Sequence, residues 1–290
     1  MIENKTIGDR LLDLLVYLVA TFISSLCLYP MLHVLFASFS DPMLLSLHRG
    51  LMFKTAGFSV KGYQVIMNNP NIWNGYRNTI LYVVLGTAVN IVMTTPGAYI
   101  LCRKGWPGRR FFMFMFVLTM YFSGGMIPTF LIVRELRMYN TLWALILPTA
   151  ISTWNMIVMR TAFSSIPDAL WESAYLDGAN DLQILVRIFL PLSKATMAVM
   201  LLFYAVGHWN SWFPAMLYLQ DSKKYPLQLL LRDILINNSS GGVVEDAEAQ
   251  YLKELIKYST IIVATVPILM IYPFAQKYFM KGVMLGSVKG

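Results

Sequence analysis

The stretch TILYVVLGTAVNIVMTTPGAYIL, Thr79 to Leu101, contains no Asp, Glu, Lys or Arg. A helix of about 20 mainly apolar residues is long enough to cross the hydrocarbon core of a bilayer. Five further segments read the same way: Leu11 to Phe39, Phe111 to Val133, Leu142 to Met159, Ala195 to Tyr218 and Thr260 to Phe279. The first carries Asp13 near its start and Pro30 and His33 further in. It is too long for the apolar region of a cleavable signal peptide, which runs to about 7–15 residues. The fold class expected is all-α, a polytopic membrane protein with six transmembrane helices forming a single domain over residues 1–290.

Composition agrees. Only 13% of the 290 residues are charged and 57% are hydrophobic, whereas soluble domains carry about 25% charged residues. The net charge of +8 invites a nucleic-acid reading, but the sequence has no basic stripe interleaved with aromatics. Its densest basic cluster, Arg103, Lys104, Arg109 and Arg110, lies in a compact turn between two apolar segments. Cytoplasmic loops hold positive charge in such places, so no nucleic acid is expected as a partner. Both termini are expected inside, with the long stretches Ser40–Arg77 and Gln220–Tyr258 outside. Cys27 and Cys102 read as small buried apolar residues, and His33, His48 and His208 are too scattered for a metal site.

The stretch SSIPDALWESAYLDGANDLQILVRIFLPL, Ser164 to Leu192, reads differently from the spans around it. Pro167 suits a first helical position, and Asp168 follows in the first turn, where the helix dipole favours an anion. Ile166, Leu170 and Ala174 form one apolar stripe. Asp177-Gly178 breaks the helix, because Gly tolerates the left-handed conformation of a sharp corner. A second helix follows, with Leu182, Leu185 and Phe189 on one face, and Pro191 ends it. Small Ala169, Ser173 and Ala174 allow close approach by a partner, and Glu172 and Asp177 offer charge. Physics alone leaves a second reading open, an amphipathic connector lying flat on the membrane.

Glu172-Ser173-Ala174, Asp177-Gly178-Ala179 and Leu190-Pro191, with Phe163, Ile166-Pro167 and Leu170 around them, resemble the EAA loop of binding-protein-dependent ABC importer permeases. Ser173 replaces the usual middle alanine, small for small. Three further pieces resemble the carbohydrate branch, the oligosaccharide or aldouronate-type, maltose-permease-like subunits. They are Phe122-Ser123-Gly124-Gly125-Met126-Ile127-Pro128, His208-Trp209-Asn210-Ser211-Trp212-Phe213, and the terminal Lys281-Gly282 and Lys289-Gly290. The resemblance implies a type I ABC importer permease fold in a bacterial plasma (inner) membrane, with residues 160–192 as a cytoplasmic coupling loop. It implies a second permease, two ATPase subunits, an extracytoplasmic sugar-binding protein and an oligosaccharide substrate. Glu172, Ala174, Asp177 and Gly178 are placed at the ATPase contact, in a coupling segment that also takes in Pro167, Leu170, Ser173 and Ala179. No cofactor is expected on this chain: ATP and Mg belong to the partner ATPases, and the sequence has no G-x-x-x-x-G-K-[ST] phosphate loop.

Polar and aromatic residues within the spans are candidates for a sugar path, since polar groups in lipid tend to face a bundle interior or a cavity. Tyr121, Asn155, Trp209, Asn210 and Trp212 are the candidates. Each has a plainer reading, because Asn joins helices by interhelical hydrogen bonds and Trp marks interface belts. An ion-coupled secondary transporter would bury ionisable residues in mid-span, where these segments have almost none. A lipid-modifying enzyme would need convergent acids or histidines. A permease for a non-sugar solute is disfavoured only by the pieces outside the loop.

Overall fold

The structure is a computed structural model that describes residues 7–239 and 247–287. Among the described residues all regular structure is helical, with no strand. In chain order the helices are α1 (Ile7–Ser38), α2 (Pro42–Leu47), α3 (Lys61–Met67), α4 (Pro70–Cys102), α5 (Arg109–Tyr121) and α6 (Met126–Glu135). Then come α7 (Trp143–Ile146), a 3₁₀ turn (Leu147–Thr149), α8 (Thr153–Ser164) and α9 (Asp168–Leu176). The chain continues through α10 (Asp181–Ile184), a π turn (Leu185–Phe189), α11 (Leu190–Leu192) and α12 (Lys194–Trp209). It closes with α13 (Trp212–Tyr218), a 3₁₀ turn (Ser222–Lys224), α14 (Leu227–Ser239) and α15 (Ala247–Ser287).

All six apolar segments are helical, but among the described residues only three are unbroken spans: α1, α4 and the Gln250–Ile271 part of α15. Each break has a local cause. The expected Phe111–Val133 span bends by 114° between α5 and α6, at Gly125 with φ +87° and ψ 174°, a conformation open essentially to glycine alone. The fourth segment divides among α7, the 3₁₀ turn containing Pro148, and α8. In the fifth, Asn210-Ser211 separates α12 from α13, because Pro214 lacks the N–H that would continue the ladder to Asn210. Two spans run longer than expected: α4 starts at Pro70 and α15 at Ala247, inside stretches read as loops. At its far end α15 is helical to Ser287, and Lys289-Gly290 lie outside the described residues.

The chain forms two compact units. One takes the chain up to Asn69 together with Asp233–Thr265. Its core gathers Ala37, Leu45, Met52 and Leu255. Tyr63 donates its hydroxyl to Ser38 Oγ at 2.7 Å. The most apolar window of α1 has no buried residue, so the span is left for lipid or another subunit to cover. Cys27 lies on it exposed, against the expectation that it is buried; the cause is that none of the described residues buries this stretch of α1.

The second unit takes Pro70–Arg232 and the chain from Val266. Its mast is α4, which packs on α8 and α12. Tyr82 joins one core cluster, with Leu145, Ala215 and Leu229. Ala98, Tyr99 and Leu101 join another, with Met156, Phe163, Ile184 and Phe189. At 1.5 Å per residue these clusters sit about 24 Å apart along α4. Between them α4 buries a polar face, Thr87, Asn90, Thr94 and Thr95.

Gly86 permits the close approach of α4 and α12, since a Cβ there would lie 2.4 Å from His208 Nε2. Nothing lies within 4 Å of a Cβ at Gly207. Gly86→Val is therefore expected to destabilise the protein by about 1–3 kcal/mol through overpacking. Gly207→Ala is expected to leave stability unchanged or slightly raised. Thermal unfolding in detergent checks both.

Candidate functional site

The helix–corner–helix at residues 167–184 is encoded locally. Pro167 is the N-cap residue and Asp168 the first helical one, one place later than the sequence reading. At the other end the backbone closes a Schellman motif. Gly178 N donates to Tyr175 O at 3.0 Å and Ala179 N to Ala174 O at 3.0 Å. Gly178 has φ +81° with open space where a side chain would project, so conformation rather than crowding requires glycine. Asn180 and Gln183 then form a capping box, at 2.8 and 3.0 Å, that starts α10.

Tertiary contacts pin one face of α9 to the end of α4. Lys104 Nζ lies 2.8 Å from Asp168 Oδ2. The Arg103 guanidinium sits 3.3 Å from the Trp171 ring centroid, a cation–π geometry. Tyr99 donates its hydroxyl to Asp181 Oδ1 at 2.9 Å. Ile166, Trp171, Ala174 and Ala179 pack on the buried cluster.

The face that packs inward takes in Ile166 and Ala174 of the apolar stripe but not Leu170. Leu170 is 43% exposed, and the larger Trp171, held by Arg103, takes the inward place. In the next helix Leu185 and Phe189 are buried but Leu182 is 68% exposed, with Ile184 buried instead. The π turn at 185–189 shifts the face; its wider coil makes room for the Pro191 ring, and the helix ends at Leu192 rather than at the proline. Outward, α9 presents Leu170, Glu172, Ser173, Tyr175, Leu176 and, at its end, Asp177, all exposed.

The interior of the same unit holds a polar knot that sequence reasoning missed. Asn90 Nδ2 donates to Thr149 O at 2.6 Å and Ala150 O at 2.9 Å, the carbonyls freed where the chain breaks before α8. With its amide hydrogens so used, Asn90 Oδ1 accepts from His208 Nε2 at 2.7 Å. Thr94 Oγ1 and Tyr204 OH are 2.6 Å apart. A single Asn, Thr or His in an apolar run carries no signal of its partner. The available clue was the i, i+4 spacing of Asn90 and Thr94, which sets both on one helix face.

Two cavities open beside this knot. One of about 420 Å³ is lined by Asn90, Ser152, Asn155, Tyr204 and His208. Another of about 650 Å³ is lined by Asn155, Val206, Trp209, Asn210 and Ile268. Both include Asn155, Phe203 and Gly207. Asn155, Trp209 and Asn210 therefore come together. Asn210 Nδ2 bonds back to Val206 O at 3.0 Å, and Trp209 lies 6.4 Å from Tyr76, ring to ring.

Trp212 is placed elsewhere, under the Arg232 guanidinium at 4.1 Å. Tyr121, 80% exposed, stands at the α5–α6 bend.

Two outcomes are expected at the corner. Gly178→Val forces a β-branched residue into the left-handed region, costing roughly 1–2 kcal/mol and lowering the unfolding temperature, while Gly178→Asn is milder. The hydrogen bond from Lys104, and then its charge, hold the Asp168 carboxyl below the usual carboxylate range. A lowered folded-state value means that this pairing favours the docked helix above about pH 3.9, the unfolded reference. The contribution is lost as pH falls through the lower folded-state value. Hydrogen-exchange protection of residues 168–176 is expected to hold from pH 7 to 5 and to drop in stronger acid, with Asp168→Asn removing that component of the drop.

Comparison with known proteins agrees with this architecture. The family described as "Binding-protein-dependent transport system inner membrane component" matches residues 5–285. The chain is 43% identical over 285 residues to the polygalacturonan/rhamnogalacturonan transport system permease protein YtcP of Bacillus subtilis, covering 97% of this chain and 99% of that one. It is 37% identical to protein LplC of the same organism, over 99% of this chain and 98% of the other. A chain from the crystal structure of a bacterial ABC transporter involved in the import of the acidic polysaccharide alginate superimposes with a TM-score of 0.86 at 31% identity, covering 94% of this chain and 98% of that one. The protein belongs to the family of inner membrane components of binding-protein-dependent transport systems.

Proposed function

We propose that this chain is the membrane-spanning permease subunit of an ATP-driven importer of oligosaccharides, working in a bacterial plasma membrane with both termini inside. The observation that carries the reading is the split character of α9. One face is pinned by Arg103, Lys104 and the buried cluster, while the other leaves Leu170, Glu172, Tyr175 and Leu176 exposed. A helix held this way transmits the movement of whatever grips it, because packed interfaces shift between discrete arrangements rather than deform. The proposed grip is that of a partner ATPase, which binds ATP and Mg, while this chain carries no hydrolytic site of its own.

In this mechanism ATP-driven closure of two ATPase subunits pushes the segment Pro167–Ala179. The push passes through Tyr99–Asp181 and Lys104–Asp168 into α4. From α4 it reaches α12 through Asn90–His208 and Thr94–Tyr204. The cavities around Asn155 and Trp209 are then exposed first to one side of the membrane and then to the other, against a second permease subunit. Cargo delivered by an extracytoplasmic binding protein meets amide groups and an indole face, which suit sugar hydroxyls and ring faces. The similarity to a permease named for polygalacturonan and rhamnogalacturonan supports an oligosaccharide derived from an acidic polysaccharide.

The test is to purify the chain with the products of its neighbouring genes and measure which sugars stimulate ATP hydrolysis. Acidic pectin fragments are expected to stimulate, and a response confined to phosphate or amino acids overturns the cargo. Glu172→Lys is expected to weaken ATPase co-purification by about tenfold, the range of a 1–2 kcal/mol contact, while membrane insertion stays intact. Normal assembly and transport by that variant overturn the docking role.

A further inference from the structure

Two more cavities meet where α4 turns into α5. One, of about 680 Å³, is walled by Lys104, Arg109, Arg110 and Arg160, with Trp106 and Met113. The other, of about 590 Å³, is mainly apolar, walled by Pro96, Ile100, Leu182, Leu185 and Trp171, with Tyr99, Arg103 and Asp181 also lining it. Gly105 and Trp106 belong to both. A basic chamber and an apolar chamber thus share one wall.

The charges of the basic chamber are poorly balanced. Lys104 is paired with Asp168. Arg160 donates Nε to Leu101 O at 3.1 Å, a contact that ties down the end of α4 but leaves a full positive charge. Among the described residues no acidic side chain lines this chamber. Like charges gathered around a half-enclosed space repel one another, and an anion there relieves the repulsion.

The surroundings narrow the kind of anion. The turn joins two apolar helices, so it sits at headgroup depth, where basic pockets between helices bind phospholipid heads. The apolar chamber runs along α4 from Arg103 toward Pro96, about 10 Å of helix. Phe111, Phe112 and Phe114 continue exposed along α5 on leaving the turn. A free phosphate, or a carboxylate offered by a partner protein, fills the basic chamber alone. An amphiphile fills both.

We propose that this turn is a binding site for one anionic phospholipid, with its phosphate among Arg109, Arg110 and Arg160 and an acyl chain in the cleft from Pro96 to Leu185. The acyl chain then touches Trp171 of α9, so the lipid buttresses the helix that Arg103 and Lys104 pin. The inference rests on the two chambers and stands whether or not α9 docks an ATPase.

The full chain in nonionic detergent is titrated with phosphatidylglycerol, phosphatidylcholine and inorganic phosphate, and bound lipid is counted by native mass spectrometry. One phosphatidylglycerol per chain is expected, with selectivity over phosphatidylcholine falling about 30-fold in Arg109→Gln/Arg110→Gln, at roughly tenfold or less for each cation removed. Phosphatidylglycerol brominated on its acyl chains is expected to quench tryptophan fluorescence, with much of the quenching lost in Trp106→Phe. Equal retention of phosphatidylcholine, or selectivity surviving the double substitution, overturns the proposal. So does complete displacement by millimolar phosphate with no acyl-chain quenching, which marks a simple anion site. Loss of ATPase co-purification in the double variant with lipid binding unchanged marks a protein-docking patch and also overturns it. Should the double variant fail to fold, Arg110→Gln and the quenching of the parent chain decide the matter.

Discussion

Inside hydrocarbon, a backbone carbonyl released from its helix must find a donor within the protein, because no water is at hand. The break before α8 releases Thr149 O and Ala150 O, and the Asn90 side chain of α4 bonds both. That choice orients the amide so that its oxygen meets His208 on α12. One side chain thereby fastens α4 to the broken segment before α8 and to α12. The polar face of α4 is buried for this purpose, and Gly86 lets α12 come close enough to use it. A permease needs broken helices to line a cavity, and it needs the breaks to be satisfied when the bundle is otherwise dry.

The same mast serves the far end of the unit. Near Cys102, α4 carries Tyr99 and Leu101 into the apolar cluster, and Arg103 and Lys104 follow directly to hold α9. Exposed ion pairs such as Lys104–Asp168 contribute little in isolation. Here the pair works beside a cation–π contact and a buried apolar face, so it sets direction more than strength. The corner at Gly178 and the capping box at Asn180 do the complementary task. They fix where α9 ends and α10 begins through local hydrogen bonds, backbone to backbone at Gly178 and Ala179 and side chain to backbone at Asn180 and Gln183, whatever grips the outer face.

How much of this was legible in the sequence varies from residue to residue. Asp177-Gly178 announced a helix corner because glycine alone enters the left-handed region freely, and the structure puts Gly178 there. Asn180 and Gln183 stand at capping-box spacing, a signal that the sequence reading did not use. Gly124-Gly125 and Pro214 were equally visible as breakers, yet continuous hydropathy over Phe111–Val133 and Ala195–Tyr218 masked them, since hydropathy averages over a window and a single φ does not. An ideal helical period put Leu170 on one stripe with Ile166 and Ala174, and Leu182 on one face with Leu185 and Phe189. Trp171 and the π turn at 185–189 overrode that period, the one by size and its Arg103 partner, the other by changing the residues per turn. Of the candidates for a sugar path, Asn155, Trp209 and Asn210 meet at one cavity, while Trp212 and Tyr121 stand apart from them. Which interior side chains meet depends on helix rotation, and an apolar run surrounded by lipid does not reveal its rotation.

By itself, the sequence determined that this protein is a helical membrane protein, because the hydrophobic effect and the hydrogen-bonding needs of the backbone in lipid are read from runs of about 20 residues. It likewise determined the helix–corner–helix at 168–184, whose turn, caps and end signals all lie within a few residues of one another. Only the tertiary structure decided that Asn90 answers carbonyls 59 and 60 residues away, that Trp171 rather than Leu170 faces Arg103, and that a basic and an apolar chamber share a wall at Trp106. Those are encounters between side chains far apart in the chain, and their geometry exists only once the helices have packed.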